Sequence, residues 1–185
     1  MILALFLISE IAQPLEAVEV KIWRQPDLSG RFIIDQDTIL TLPLIGKINC
    51  GWHYHAEIET MIINGYNRYL RDPHIEIEFL FPVRILGEVN RPGVFYLKPG
   101  QTLADLLAEA GGFNGQSNPK GARLVRGGRS RKINLISILE GKDDFELKSN
   151  DLIIVPRSFW SSLQKWGVVF SGLTLLISAY NAFVK

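Results

Sequence analysis

Cysteine occurs once in this chain of 185 residues, at Cys50. A single cysteine forms no internal disulfide and leaves no cysteine-based zinc site. It does not fix the compartment. Neither sign of charge is in excess: 20 Lys+Arg stand against 19 Asp+Glu, a net charge of +1. That balance argues against a nucleic-acid binder held by bulk electrostatics. No Gly-x-Ser-x-Gly, Walker loop or strand-following Gly-x-Gly-x-x-Gly occurs, so no hydrolase elbow or nucleotide cradle is expected. The apolar content is not short. At 47% hydrophobic and 21% charged, the composition is globular and excludes global disorder. The length suits one medium domain or two small ones.

Two apolar runs stand out. "MILALFLISEIA" has an apolar core from Ile2 to Ile8, like the h-region of a signal peptide. It lacks a basic n-region and a small-x-small cleavage site. A cleaved signal, a buried first element and a truncated start all remain open. The second run, Trp166 to Val184, carries no charge.

Between them the pattern is mixed. "LEAVEVKIW" alternates, with Val18, Val20 and Ile22 against Glu19 and Lys21, as a half-buried strand does. Turn residues follow at Pro26, Asp27, Ser29 and Gly30. "RFIIDQDTILTLPLIGKI" reads as short strands broken at Asp35–Asp37, Pro43 and Gly46. "HAEIETMIINGYNRYL" then takes a helical period, with Ile58, Met61, Ile62, Gly65, Tyr66 and Tyr69 on one face and Pro73 as its stop. "HIEIEFL" alternates again.

A second unit begins near Pro82. "VRILGEV" is a strand, and Pro92-Gly93 suits a type II turn. "QTLADLLAEAGG" is a helix capped by Thr102 with Asp105, and closed by Gly111 and Gly112. "ARLVRGGRSRKINL" is a hairpin about Gly127-Gly128, and "FELKSNDLIIVP" is a last strand. Strands embracing one short helix suggest a β-grasp-like unit. The expected class is α+β: a β-rich first domain with one helix over 1–81, a β-grasp domain over 82–157, and a C-terminal membrane helix over 158–185. Two segments echo each other: Glu16 and Asp151 each place an acid just before an alternating strand.

Chemistry-bearing groups are sparse. His53 and His55 could share a strand face near Glu57 as a metal site. The favoured alternative is a turn and helix start with solvated histidines. Asp143-Asp144 and Glu76/Glu78 read as solvated acids. No catalytic constellation, metal or cofactor is expected. Arg123, Arg126, Arg129, Arg131 and Lys132 form the basic cluster. It could meet an acidic polysaccharide, an acidic partner or lipid phosphates. The plainer reading, an exposed hairpin with edge-guarding charges, is favoured.

The last run carries a stripe. At 100° per residue, Gly167, Ser171, Thr174, Ser178 and Asn181 fall within an arc of roughly 100°. Leu173, Leu176, Ile177, Phe183 and other apolar residues fill the rest. Trp166–Val184 would span about 28 Å as a helix, near the hydrocarbon thickness of about 30 Å. Trp160, Trp166 and Tyr180 suit interfacial anchors. The stripe fits a water-filled lumen in a ring of helices. Small-residue helix packing and a helix lying flat on a membrane are the other readings.

Several stretches resemble one family. "WRQPDLSGRFIIDQD…TLPLIGKI" and "YLRDPHIEIE" resemble the export domain of bacterial outer-membrane polysaccharide export proteins. "VRILGEVNRPGVFYLKPGQTLADLLAEAGGF" and "LKSNDLIIVPR" resemble the SLBB (soluble-ligand-binding β-grasp) module of the same family. The likeness runs from about residue 14 to 157. It implies an envelope protein with a periplasmic body and an outer-membrane pore. Its partners would be a homo-oligomeric ring of about eight copies, the exported capsular or exopolysaccharide, an inner-membrane co-polymerase and membrane lipid, with no nucleic acid. The runner-up is a membrane-anchored periplasmic adaptor that binds glycan or protein without a pore. The chain departs from the pattern where Leu15-Glu16 and Asn150-Asp151 replace Gly-Asp, and where the lipid-bearing cysteine is missing.

Overall fold

The computed structural model describes residues 11–142 and 145–158. The run Ile2–Ile8, Asp143-Asp144, the anchors Trp160, Trp166 and Tyr180, and the stripe Gly167–Asn181 lie outside the described residues. Two compact units share the chain. The first takes 11–84, 94–106 and 145–151, and the second takes 85–93, 107–142 and 152–158.

In the first unit, strand β1 (Ala17–Ile22) lies between β2 (Gly30–Ile33) and the first part of β5 (Ile75–Gly87). Both pairings are antiparallel, with Val18, Val20 and Ile22 opposite Phe79, Ile77 and Ile75. The alternation of β1 thus buries Val18, Val20 and Ile22 and turns Glu19 and Lys21 outward. Strands β3 (Ile39–Leu42) and β4 (Gly46–Asn49) form a separate hairpin. Helix α1 (His55–Asn67) buries Ile58, Ile62 and Tyr66, the i, i+4, i+8 row expected of an amphipathic face. Together with Ile34, Leu40, Leu42 and Cys50, these side chains make the core. Each fully buried Ile, Leu or Val contributes about 1.5–3 kcal/mol.

The outward face of β1 balances charge. Glu19 stands opposite Glu78, a like-charge pair that is unfavourable alone. Lys98 bonds Glu78 and lies 3.9 Å from Glu19. Arg31, opposite Glu19, approaches it to 3.6 Å. The Lys98 hydrogen bond holds the Glu78 carboxyl below the usual carboxylate range.

Three sequence expectations are corrected. Helix α1 ends at Asn67, well before Pro73, and Tyr69 lies beyond it, 62% exposed. Backbone N–H groups of Tyr69 and Leu70 already turn back to Tyr66 O, which takes Tyr69 off the buried face. Strand β5 runs unbroken through Pro82. Proline cannot donate to a ladder, but the Pro82 carbonyl accepts from Asn150 N–H at 2.8 Å and keeps the strand paired there. Gly93 opens strand β6 (Gly93–Leu97) and lacks the positive φ that the third position of a type II turn requires.

Helix α2 (Leu103–Glu109) has the ends its sequence predicts. Thr102 N–H donates to Asp105 Oδ2 at 2.7 Å, and Asp105 N–H returns to Thr102 Oγ1 at 3.4 Å. That backbone donor holds the Asp105 carboxyl low. Gly111 and Gly112, at φ 75° and 78°, close the helix, and Gly112 N–H reaches Leu107 O at 2.7 Å.

In the second unit, β7 (Arg123–Arg126) pairs with β8 (Arg129–Lys132) and with β9 (Leu152–Val155), both antiparallel. The end of β5 pairs β9 on its other side. Ile85, Leu107, Ala122, Leu124, Leu135, Ile153 and Val155 are buried. Helix α3 (Leu135–Leu139) escapes a sequence reading because five residues are too short for a period. Its signal is Asn134, whose Oδ1 accepts from Ile136 and Ser137 N–H.

Candidate functional site

Among the described residues, four places carry groups that could act. The first is the basic hairpin. Gly127 and Gly128, at φ 55° and 74°, make a two-residue turn of the kind that matches strand twist. The register then sets the faces. Arg126 is opposite Arg129 and Leu124 opposite Arg131, while Arg123 is opposite Lys132. Alternation puts Leu124, Arg126, Arg129 and Arg131 on one side and Arg123 and Lys132 on the other. The first four, with Gly127, line an open groove of about 540 Å³. Three of the five cluster residues therefore converge and two do not.

The second place is the pair of histidines. His53 Nδ1 lies 3.1 Å from Glu57 Oε2, while His55 Nε2 lies 3.1 Å from Glu16 Oε2. Tyr54 N–H also donates to Glu57 at 3.0 Å, and this bond first, then His53, lowers the Glu57 carboxyl. His55 opens helix α1 and stacks on Phe79, with centroids 4.0 Å apart and planes 9° from parallel. The two imidazoles thus serve different carboxylates on different elements. Among the described residues, no three His, Cys, Asp or Glu side chains gather as metal ligands would.

The third is the echo between strand starts, which is geometric. Leu15 and Asn150 take φ 71° and 65°. Glu16 and Asp151 are both buried. Each carboxylate accepts the N–H three residues earlier, Gln13 at 3.1 Å and Lys148 at 2.9 Å. Each acid's own N–H returns to that residue's carbonyl, at 3.3 and 3.1 Å. The same turn is built twice. Asn tolerates its left-handed position better than Leu does. The use of Leu15 costs strain on the order of 1–2 kcal/mol.

The fourth place is a shallow groove of about 470 Å³ in the first unit. It is lined by Trp23, Gln25, Ser29, His74 and Glu76 among others. Trp23 is 70% exposed, as an aromatic platform would be. Sequence reasoning passes over it because Trp23 looks like the end of an alternating strand.

Cys50 is unavailable to chemistry. It is fully buried, and burial pushes its thiol up to about 11. A raised pKa favours folding below the unfolded value, so this contribution is present at neutral pH and lost as pH rises from about 9 towards 11. At pH 8 about one molecule in a thousand carries the thiolate. We expect the native protein to leave a thiol reagent such as DTNB almost unreacted for hours and to release one equivalent in denaturant. Rapid native reaction would place Cys50 at the surface.

Residues 12–80 match the family of polysaccharide biosynthesis/export proteins. Residues 82–134 match the SLBB domain. The two matches together take up about two thirds of the chain. The chain belongs to the polysaccharide export family, in the form that carries an SLBB domain after the export domain. The twin turns fall at the start of the export match and beyond the end of the SLBB match. The basic hairpin lies inside the SLBB match. Proteins of this family work at the cell envelope.

Proposed function

We propose that the protein is an oligomeric outer-membrane channel for capsular or exopolysaccharide. In this reading 1–81 is the export domain, 82–157 the β-grasp SLBB domain and 158–185 a membrane-spanning helix. Helices from about eight copies form an α-helical barrel, with Gly167, Ser171, Thr174, Ser178 and Asn181 towards the lumen. Trp160, Trp166 and Tyr180 sit at the membrane interfaces. The periplasmic body meets an inner-membrane co-polymerase. Transport here is passive and non-enzymatic in this reading, which the lack of a nucleotide-binding motif in the sequence supports.

One observation carries the channel: a charge-free, membrane-length segment bearing a polar stripe follows an export architecture. A lone helix gains nothing by turning such a stripe to lipid, whereas a ring hydrates it. The test is electron microscopy of the detergent-extracted full chain. We expect closed rings with a continuous lumen through the helical zone. Monomers, or rings whose helical zone is solid, would favour the adaptor instead.

A further inference from the structure

The hairpin groove sets guanidinium groups against one another. Arg126 and Arg129 are direct cross-strand partners, and Arg123 and Lys132 are another like-charged pair. Like charges directly opposite one another destabilise a hairpin. Arg129 and Arg131 are exposed, and among the described residues no carboxylate pairs with either. Arg126 is already engaged within the chain. Leu124, itself buried, supplies an apolar floor.

From this we infer that the Arg129/Arg131 face of the hairpin is a contact site for a carboxylate-bearing glycan, so that the exported polymer is acidic. The inference rests on the export reading for the word "exported"; the binding site itself does not depend on a pore. Arg129 and Arg131 lie two residues apart on one face, roughly 7 Å along the strand. Arg126 is roughly 5 Å across it. That spacing meets a polymer presenting acids repeatedly better than it meets one small ion. Arginine's planar fork pairs bidentately with a carboxylate, and the open groove admits a chain from the side.

The probe is a polyuronate oligomer, titrated into the full chain in neutral detergent by calorimetry. A dextran of equal length and anionic phospholipid vesicles are run in parallel. Two double variants carry the same charge change on opposite faces of the hairpin, Arg129→Gln/Arg131→Gln and Arg123→Gln/Lys132→Gln. We expect polyuronate to bind, weakening as salt rises, and dextran not to bind. The first variant should lose roughly tenfold or more in affinity with a shallower salt dependence. The second should stay within about twofold. Far-ultraviolet circular dichroism checks folding. Arg129→Lys/Arg131→Lys keeps the charge while removing the fork, and should fall between the two.

Equal loss from both faces would overturn the site as mere net charge. Binding to vesicles but not to polyuronate would overturn it in favour of lipid phosphate. Failure of ring formation with polyuronate binding intact would remove the channel and leave this site standing.

Discussion

Gly87→Ala should destabilise the protein by roughly 2–5 kcal/mol, against roughly 1 kcal/mol for Gly128→Ala. A Cβ at Gly87 would sit 2.1 Å from the carbonyl oxygen of Val155, and the backbone there has φ 94°. That carbonyl also accepts Glu88 N–H at 2.9 Å, so it cannot move away without breaking the pairing of β5 with β9. The substitution therefore adds steric overlap with a fixed backbone atom to the conformational strain of a left-handed alanine. Gly128 has φ 74° but no atom within 4 Å of its Cβ position, which leaves the conformational part alone. Urea titration of both variants measures the difference. Equal midpoints would mean that β9 does not press on Gly87.

If the proposed channel is right, blocking its lumen should have the largest effect on activity. With Ser178→Cys, a water-soluble thiol reagent should react readily, and a bulky adduct should abolish export. Helices packed 8–10 Å apart enclose, as a ring of about eight, an opening on the order of 15 Å. An adduct of comparable size would fill it. Cysteine at Leu176 or Phe183, on the apolar arc, should react at least tenfold more slowly because lipid excludes the reagent. The burial of Cys50 matters for this experiment, since its suppressed thiolate leaves little background even where it is retained. Export that continues after modification at Ser178, or labelling as fast at Leu176 as at Ser178, would refute the pore assignment.

Local order was legible wherever neighbours in sequence are neighbours in space. The alternation of Val18, Val20 and Ile22 announces β1, because a strand turns successive side chains to opposite faces. Thr102 with Asp105, and Gly111 with Gly112, mark both ends of α2 within a few residues of their partners. Gly127-Gly128 marks the hairpin. The family likeness was legible as well, since it rests on contiguous motifs. Asn134 and its five-residue helix were not, because a single turn has no period to detect.

What the sequence determined by itself, then, is the set of local elements, the family, and which residue types were available for chemistry. Tertiary structure alone decided how they combine. Glu16 meets His55 across 39 positions, a pairing that no motif spacing encodes, and the meeting separates His55 from His53. Pro82 marks the step from one family match to the next, yet the strands read on either side of it are a single strand, β5, in which its carbonyl serves Asn150. Nothing within the strand VRILGEV marks Gly87 out; only β9 brings Val155 O against it. The cross-strand register set Arg129 and Arg131 on the groove side and Lys132 on the other. In all but this last, local case the deciding contact joins residues far apart in the chain, and its free energy exists only once packing has brought them together.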